Sequence, residues 1–110
     1  MRAAEARQVR LARNQSVYRD VNARIVQLST SGGESSVQVV CECADTDCVE
    51  TFLVSVQEYD AVRAQPTRFL VLPGHVFPEV EDVVTEAGSY VVVEKVEAGA
   101  RTAVALAPGP

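Results

Sequence analysis

At 110 residues the chain is sized for one domain, and a net charge of −5 argues against a protein that is basic throughout and built to coat nucleic acid. No apolar run approaches the roughly 20 residues that span a bilayer, and the Arg-rich start lacks the apolar stretch of a secretory leader, so the expected setting is cytoplasmic, with reduced cysteines. Val is abundant, Trp is absent and Phe and Tyr are scarce, which favours β-structure and leaves a modest core that a metal staple would help.

Charge is unevenly spread. Residues 1–28 carry six Arg against Glu5 and Asp20, a balance of +4, while the rest of the chain stands at −9. Such asymmetry fits a polar partner, self-association through opposite surfaces, or two solvated faces. The same 28 residues read as an amphipathic helix, an N-terminal arm. Leu11, Asn14, Tyr18, Val21, Ile25 and Leu28 recur at spacings of three and four and draw one stripe. The stripe is too short for an independent coiled coil, so it should pack on the protein's own sheet, or else dock on a protein partner or a second copy. Arg7, Arg10, Leu11, Asn14, Tyr18 and Val21 are therefore the candidate partner-binding residues. Arg2, Arg7, Arg10 and Arg13 could also meet RNA, DNA or an acidic protein surface, although a solvated face explains them more simply.

Residues 29–36, rich in Ser and Gly, form a flexible loop by composition. An α+β core over residues 37–97 follows. Its first strand, Ser36 to Val40, runs into Cys41-Glu42-Cys43-Ala44-Asp45-Thr46-Asp47-Cys48, and a second strand begins at Thr51. On a flat strand two thiols at i and i+2 lie about 6–7 Å apart, whereas two sulfurs on one zinc ion lie about 4 Å apart. Cys41 and Cys43 should therefore sit where the strand curls, with Asp45 and Thr46 in a turn that returns Cys48. His75, the only histidine, leaves a strand through Pro73-Gly74 and supplies the fourth donor of a Cys3His structural zinc site. Three cysteines cannot pair off as disulfides. Simple packing of buried thiols, redox-sensitive thiols and another metal or an Fe–S cluster are the competing readings. The acidic neighbours Glu42, Asp45, Asp47 and Glu50 should raise the thiol pKa values and discourage attack chemistry.

Further along, a short helix is expected from Glu58 to Gln65, with Ser55 and Glu58 at the spacing of a capping box, Tyr59 and Val62 inward and Pro66 blocking its extension. Arg68 to Leu72 reads as a buried strand. Pro78 to Ala87 reads as a helix, with Pro78 in its first turn, Glu79 and Glu81 at its N-terminal end and Gly88 ending it. Tyr90 to Val96 is the last strand, and residues 98–110 look like a disordered tail. No nucleotide-binding, metalloprotease or nucleophile-elbow motif occurs, and the one histidine is wanted as a ligand, so the chain does not read as an enzyme.

Arg10-Leu11-Ala12-Arg13-Asn14, Arg19-Asp20-Val21-Asn22, the C-x-C-x4-C segment from Cys41, Glu58-Tyr59, Arg63, Phe69-Leu70-Val71-Leu72-Pro73-Gly74-His75 and Tyr90-Val91-Val92-Val93-Glu94-Lys95 together resemble a family of short, uncharacterised bacterial proteins. The resemblance covers most of residues 10–96 and carries no activity. It implies that the helix and the Cys/His segment form one unit. The fold expected is α+β, with an N-terminal helix, a small mainly antiparallel sheet of about four strands, two further short helices and a zinc staple. The expected role is a protein-interaction or regulatory module. A nucleic-acid-binding regulator using the Arg-rich helix and a thiol/zinc redox sensor are the alternatives.

Overall fold

The computed structural model describes residues 3–107 and is α+β as expected. Met1 and Arg2, and the last three residues of the expected tail, lie outside the described residues. Helix α1 (Ala3–Ser31) runs three residues past the apolar stripe, through Thr30 and Ser31, whose hydroxyls donate to the carbonyls of Val26 and Gln27. This shortens the expected loop 29–36.

The face that α1 turns inward is not the stripe predicted from its apolar residues. Gln8, Leu11, Ala12, Gln15, Ser16, Arg19, Asn22 and Val26 are buried, whereas Val21 is 42% and Leu28 63% exposed. The reason lies in what α1 rests on. Beneath it are backbone carbonyls and amides rather than a greasy sheet, and buried peptide groups need partners. The Asn22 amide donates to Val40 O (2.7 Å) and accepts from Val40 N (2.8 Å), and Gln15 Nε2 donates to Glu42 O (2.9 Å). Arg19 donates to Pro66 O (2.7 Å) and Ala103 O (3.1 Å), and its guanidinium lies 5.1 Å from the centre of the Phe69 ring. Burial pulls the Arg19 pKa below its ordinary value, with Arg63 acting in the same direction.

Strands β1 (Ser36–Val40) and β2 (Thr51–Ser55) form an antiparallel hairpin in register Val39↔Phe52. Val37, Val39, Phe52 and Val54 point inward and their neighbours outward, the period-two pattern of a half-buried hairpin. Helix α2 (Val56–Arg63) has the predicted Ser55 cap but lies two residues earlier than the expected Glu58–Gln65. Glu58 N–H donates to Ser55 Oγ (3.0 Å), the Ser55 hydroxyl donates to Glu58 Oε1 (2.8 Å), and Tyr59 and Val62 are buried. β3 (Arg68–Val71), β4 (Glu81–Glu86) and β5 (Val91–Lys95) make a second antiparallel sheet in the order β3-β5-β4. The described residues thus hold five strands in two sheets, not four in one. Phe69, Leu70, Val71 and Val93 are fully enclosed, and the rings of Phe52 and Tyr90 stack at 5.6 Å.

Two segments depart from the sequence-based expectation. The helix expected over residues 78–87 is strand β4, paired Glu81↔Lys95 and Val83↔Val93 with a bulge at Val84. Val83, Val84 and Thr85 are β-branched and stiff in a helix. Glu81 finds its counter-charge on β5, with Lys95 Nζ 3.3 Å from Glu81 Oε2 and both side chains buried. Gly88, at φ 82°, turns the β4–β5 hairpin instead of ending a helix. The second departure is the tail. Residues Glu97–Ala105 form helix α3 against α1, with Ala98, Gly99 and Ala103 buried. Gln8 Oε1 accepts from Ala98 N (3.2 Å), satisfying an N-terminal amide of α3, and Arg19 bonds a carbonyl at its other end. The two further short helices are therefore α2 and α3.

A Cβ placed on Gly99 would lie 3.5 Å from Gln8 O and 3.9 Å from Ala12 Cβ, ordinary contact distances. Gly99→Ala should therefore raise stability by about 0.5–1 kcal/mol by restricting the unfolded chain and favouring helix. Urea unfolding checks this, and a lowered midpoint would mean that α1 and α3 pack too tightly there for a methyl group.

Candidate metal centre

Val40 is the last residue of β1, and the ladder continues for one bond, from Cys41 N to Glu50 O (2.8 Å), before the chain curls. Asp45 then builds the turn. Its carboxylate accepts from Asp47 N (2.9 Å) and its carbonyl from Cys48 N (3.1 Å), an Asx turn that brings Cys48 back beneath Cys41 and Cys43. The predicted curl and return are both present. His75 is aimed by a type II turn. Its N–H donates to Leu72 O (3.0 Å) across Pro73 and Gly74, and Gly74 takes the φ of 84° that a side chain would strain.

These two loops gather Cys41, Cys43, Cys48 and His75 so that one donor atom from each lies within 4.8 Å of every other. His75 Nδ1 lies 3.7 Å from Cys41 Sγ and 3.6 Å from Cys48 Sγ. Sulfur at 2.3 Å and nitrogen at about 2.0–2.1 Å on a tetrahedral ion would stand about 3.6 Å apart. The donor set and its spacing therefore fit a metal ion, and no disulfide joins the three cysteines. All three thiols are buried, while the imidazole keeps one edge toward solvent.

The outer shell is legible as well. Glu50 Oε2 lies 3.3 Å from His75 Nε2, the ring nitrogen not turned to the thiols, and 4.0 Å from Cys48 Sγ, and a carboxylate so placed fixes the tautomer of a ligating imidazole. Leu72 N–H donates to Cys41 Sγ (3.2 Å) and favours its thiolate. In the metal-free chain burial pushes the Cys41 and Cys43 thiols up, only partly offset by backbone hydrogen bonds from Leu72 and Asp45. Both thiols are raised, but by desolvation and by the neighbouring thiols rather than by the acidic side chains to which the sequence pattern pointed. A shallow cleft lined by Cys43, Asp45, Gly74, His75, Val76 and Phe77 opens beside the cluster.

Sequence reasoning passes over Glu42. It is fully buried between two of the candidate ligand cysteines, yet its carboxylate faces away from them. It accepts from Arg63 Nη2 (2.7 Å), Asn22 Nδ2 (2.8 Å) and Leu70 N (2.9 Å), while its own N–H donates to Leu70 O (2.8 Å). Leu70 thus spends both backbone groups on Glu42, which joins the β1–β2 hairpin to β3. The alternation of the strand is the one signal that points to it, because Cys41 and Cys43 on one side place Glu42 on the other. Near it, Gln15 Nε2 also reaches Glu81 Oε2 (3.2 Å). Burial holds Lys95 below its ordinary pKa against the opposing pull of Glu81, and pushes Tyr59 up to about 12.

The candidate partner-binding residues of α1 are placed differently from one another. Arg7 forms an ion pair with Glu79, Leu11 is buried with Ala44 and Val80, and Tyr18 donates to Thr46 O (2.8 Å). Asn14 is half-buried, and Arg10 and Val21 are exposed. Among the described residues no helix is long and apolar enough to cross a membrane. No protein-family model, curated protein or solved structure matches this chain.

Proposed function

We propose that the chain is a small zinc domain in which the ion is structural, and that the domain serves as a protein-interaction or regulatory module. One observation carries the metal reading: three buried thiols and one imidazole nitrogen converge within 4.8 Å, with S···N separations that suit tetrahedral zinc. Soft thiolates with a nitrogen donor select zinc over the hard, oxygen-seeking cations. Four protein donors close the coordination shell, which suits a staple and leaves no position for a substrate.

Support for an interaction role comes from the outward face of α1. Val17, Val21 and Leu28 are exposed there, with Arg10, Arg13 and Arg24 also on the solvent side. An apolar strip among cations suits an acidic protein surface. A thiol/zinc redox sensor is the second reading, favoured by the cleft that reaches Cys43 and His75 from outside.

Elemental analysis of the purified, untagged protein alongside a free-thiol count tests the metal reading. One zinc per chain with masked thiols is expected. Three titratable thiols and no metal would overturn it. Reversible zinc release by mild oxidant would move the assignment to the sensor.

A further inference from the structure

The loop that carries Cys41 and Cys43 is held from the side opposite the ligands, largely by α1. Four of its backbone groups are satisfied by α1 side chains: Val40 N and O by Asn22, Glu42 O by Gln15 and Thr46 O by Tyr18. Asn22 also bonds the Glu42 carboxylate, which Arg63 of α2 and Leu70 of β3 grip at its other oxygen. Seen from α1, Gln15, Tyr18, Arg19 and Asn22 make the middle of its inner face polar. Water can replace such bonds one by one, so they hold the helix firmly only while the loop presents all its acceptors together.

We propose that Glu42 is a positioning residue of the metal site and that, through it and Asn22, occupancy of the site and docking of the middle of α1 are reciprocally coupled. A bound ion fixes the loop that receives Gln15, Tyr18 and Asn22. Docked α1, in turn, preorganises Cys41 and Cys43 for the ion, and the two effects are equal by linkage. The proposal rests on the metal reading above. It makes α1 a metal-gated arm in which the bonds of Gln15, Tyr18 and Asn22 to the loop loosen together, while Gln8 and Arg19 keep the helix tethered to α3.

Hydrogen exchange followed by mass spectrometry on the full chain, zinc-loaded and chelator-treated, is the test. Amides of residues 14–26 should exchange about tenfold faster or more after chelation, with β3 and β5 changing much less. Asn22→Ala touches no ligand, yet in competition with a chromophoric chelator it should bind zinc about 10- to 100-fold more weakly. Val17→Ala, on the exposed face, should bind like the wild type. If the wild type binds zinc but residues 14–26 exchange alike with and without it, the coupling is wrong and the metal reading stands. Uniform acceleration along the whole chain would also overturn it, since zinc would then hold the fold as a whole. A wild type that binds no zinc would remove both readings. If Asn22→Ala does not fold, the wild-type exchange comparison decides alone.

Discussion

On the zinc reading proposed above, stripping the ion from the protein should lower its melting temperature by roughly 15–30 °C. The size of the shift follows from linkage: an ion held at about a thousand times its Kd stabilises the native state by about 4 kcal/mol, and each kcal/mol moves a domain of this size by about 4–8 °C. The protein should not unravel at room temperature, because the core that holds the three cysteines extends well beyond them, through Phe69, Leu70 and Val91 to Val93 of the second sheet. Cys41→Ser should melt low whether or not chelator is present, which separates metal loss from chelator effects. Calorimetry with and without chelator is the measurement, and an unchanged wild-type midpoint would show that the cluster contributes no metal-dependent stability.

The same ion should bind more weakly as the pH falls. Burial raises the Cys41 and Cys43 thiols in the metal-free chain, so both are protonated at neutral pH and zinc must displace those protons. Each displaced proton costs about one decade of affinity per pH unit below the thiol pKa values. Competition titrations at several pH values give the slope. A flat profile would mean that the thiols are not the ligands.

Glu42→Leu should cost about 3–5 kcal/mol, a large share of the roughly 5–15 kcal/mol that stabilises a domain. The loss does not come chiefly from attraction between Glu42 and Arg63. It comes from the buried guanidinium, one N–H of the Asn22 amide and the Leu70 N–H, which are left without an acceptor. Adding Arg63→Met removes the orphaned charge but neither orphaned N–H. The double variant should therefore be less destabilised than the sum of the two single changes, yet still weaker than the wild type. Denaturant titration of the three variants checks this. Additive losses would mean that Glu42 and Arg63 act independently.

The chemistry of the metal centre is legible in the sequence because each of its parts is local. Two cysteines at i and i+2 demand a curl, Asp45 provides a turn within two residues of itself, and Pro73-Gly74 sets the bend that delivers His75. The Ser55 cap and the inward Tyr59 and Val62 are legible for the same reason, since their partners lie within one helical turn. The α+β class, the N-terminal helix and the strand–cysteine–strand hairpin likewise depend on propensity and period over a few neighbours.

Other features depend on residues far away in the chain, and there the local pattern points elsewhere. Residues 81–86 and the segment just before them carry the charges and proline of a helix start as well as the β-branched run of a strand. Lys95 and Val93 on β5 decide between them by offering a buried counter-charge and a ladder. The alanines of residues 98–105 become a helix because α1 supplies Gln8 and Arg19 to its two ends. Apolar periodicity misplaces the inner face of α1, because periodicity assumes an apolar bed and the middle of this helix lies on peptide groups that Gln15, Tyr18, Arg19 and Asn22 satisfy. By itself the sequence determined which atoms could hold a metal. Tertiary structure alone decided what holds those atoms in place, because a buried carboxylate such as Glu42 takes its role from donors 20 to 28 residues away in the chain.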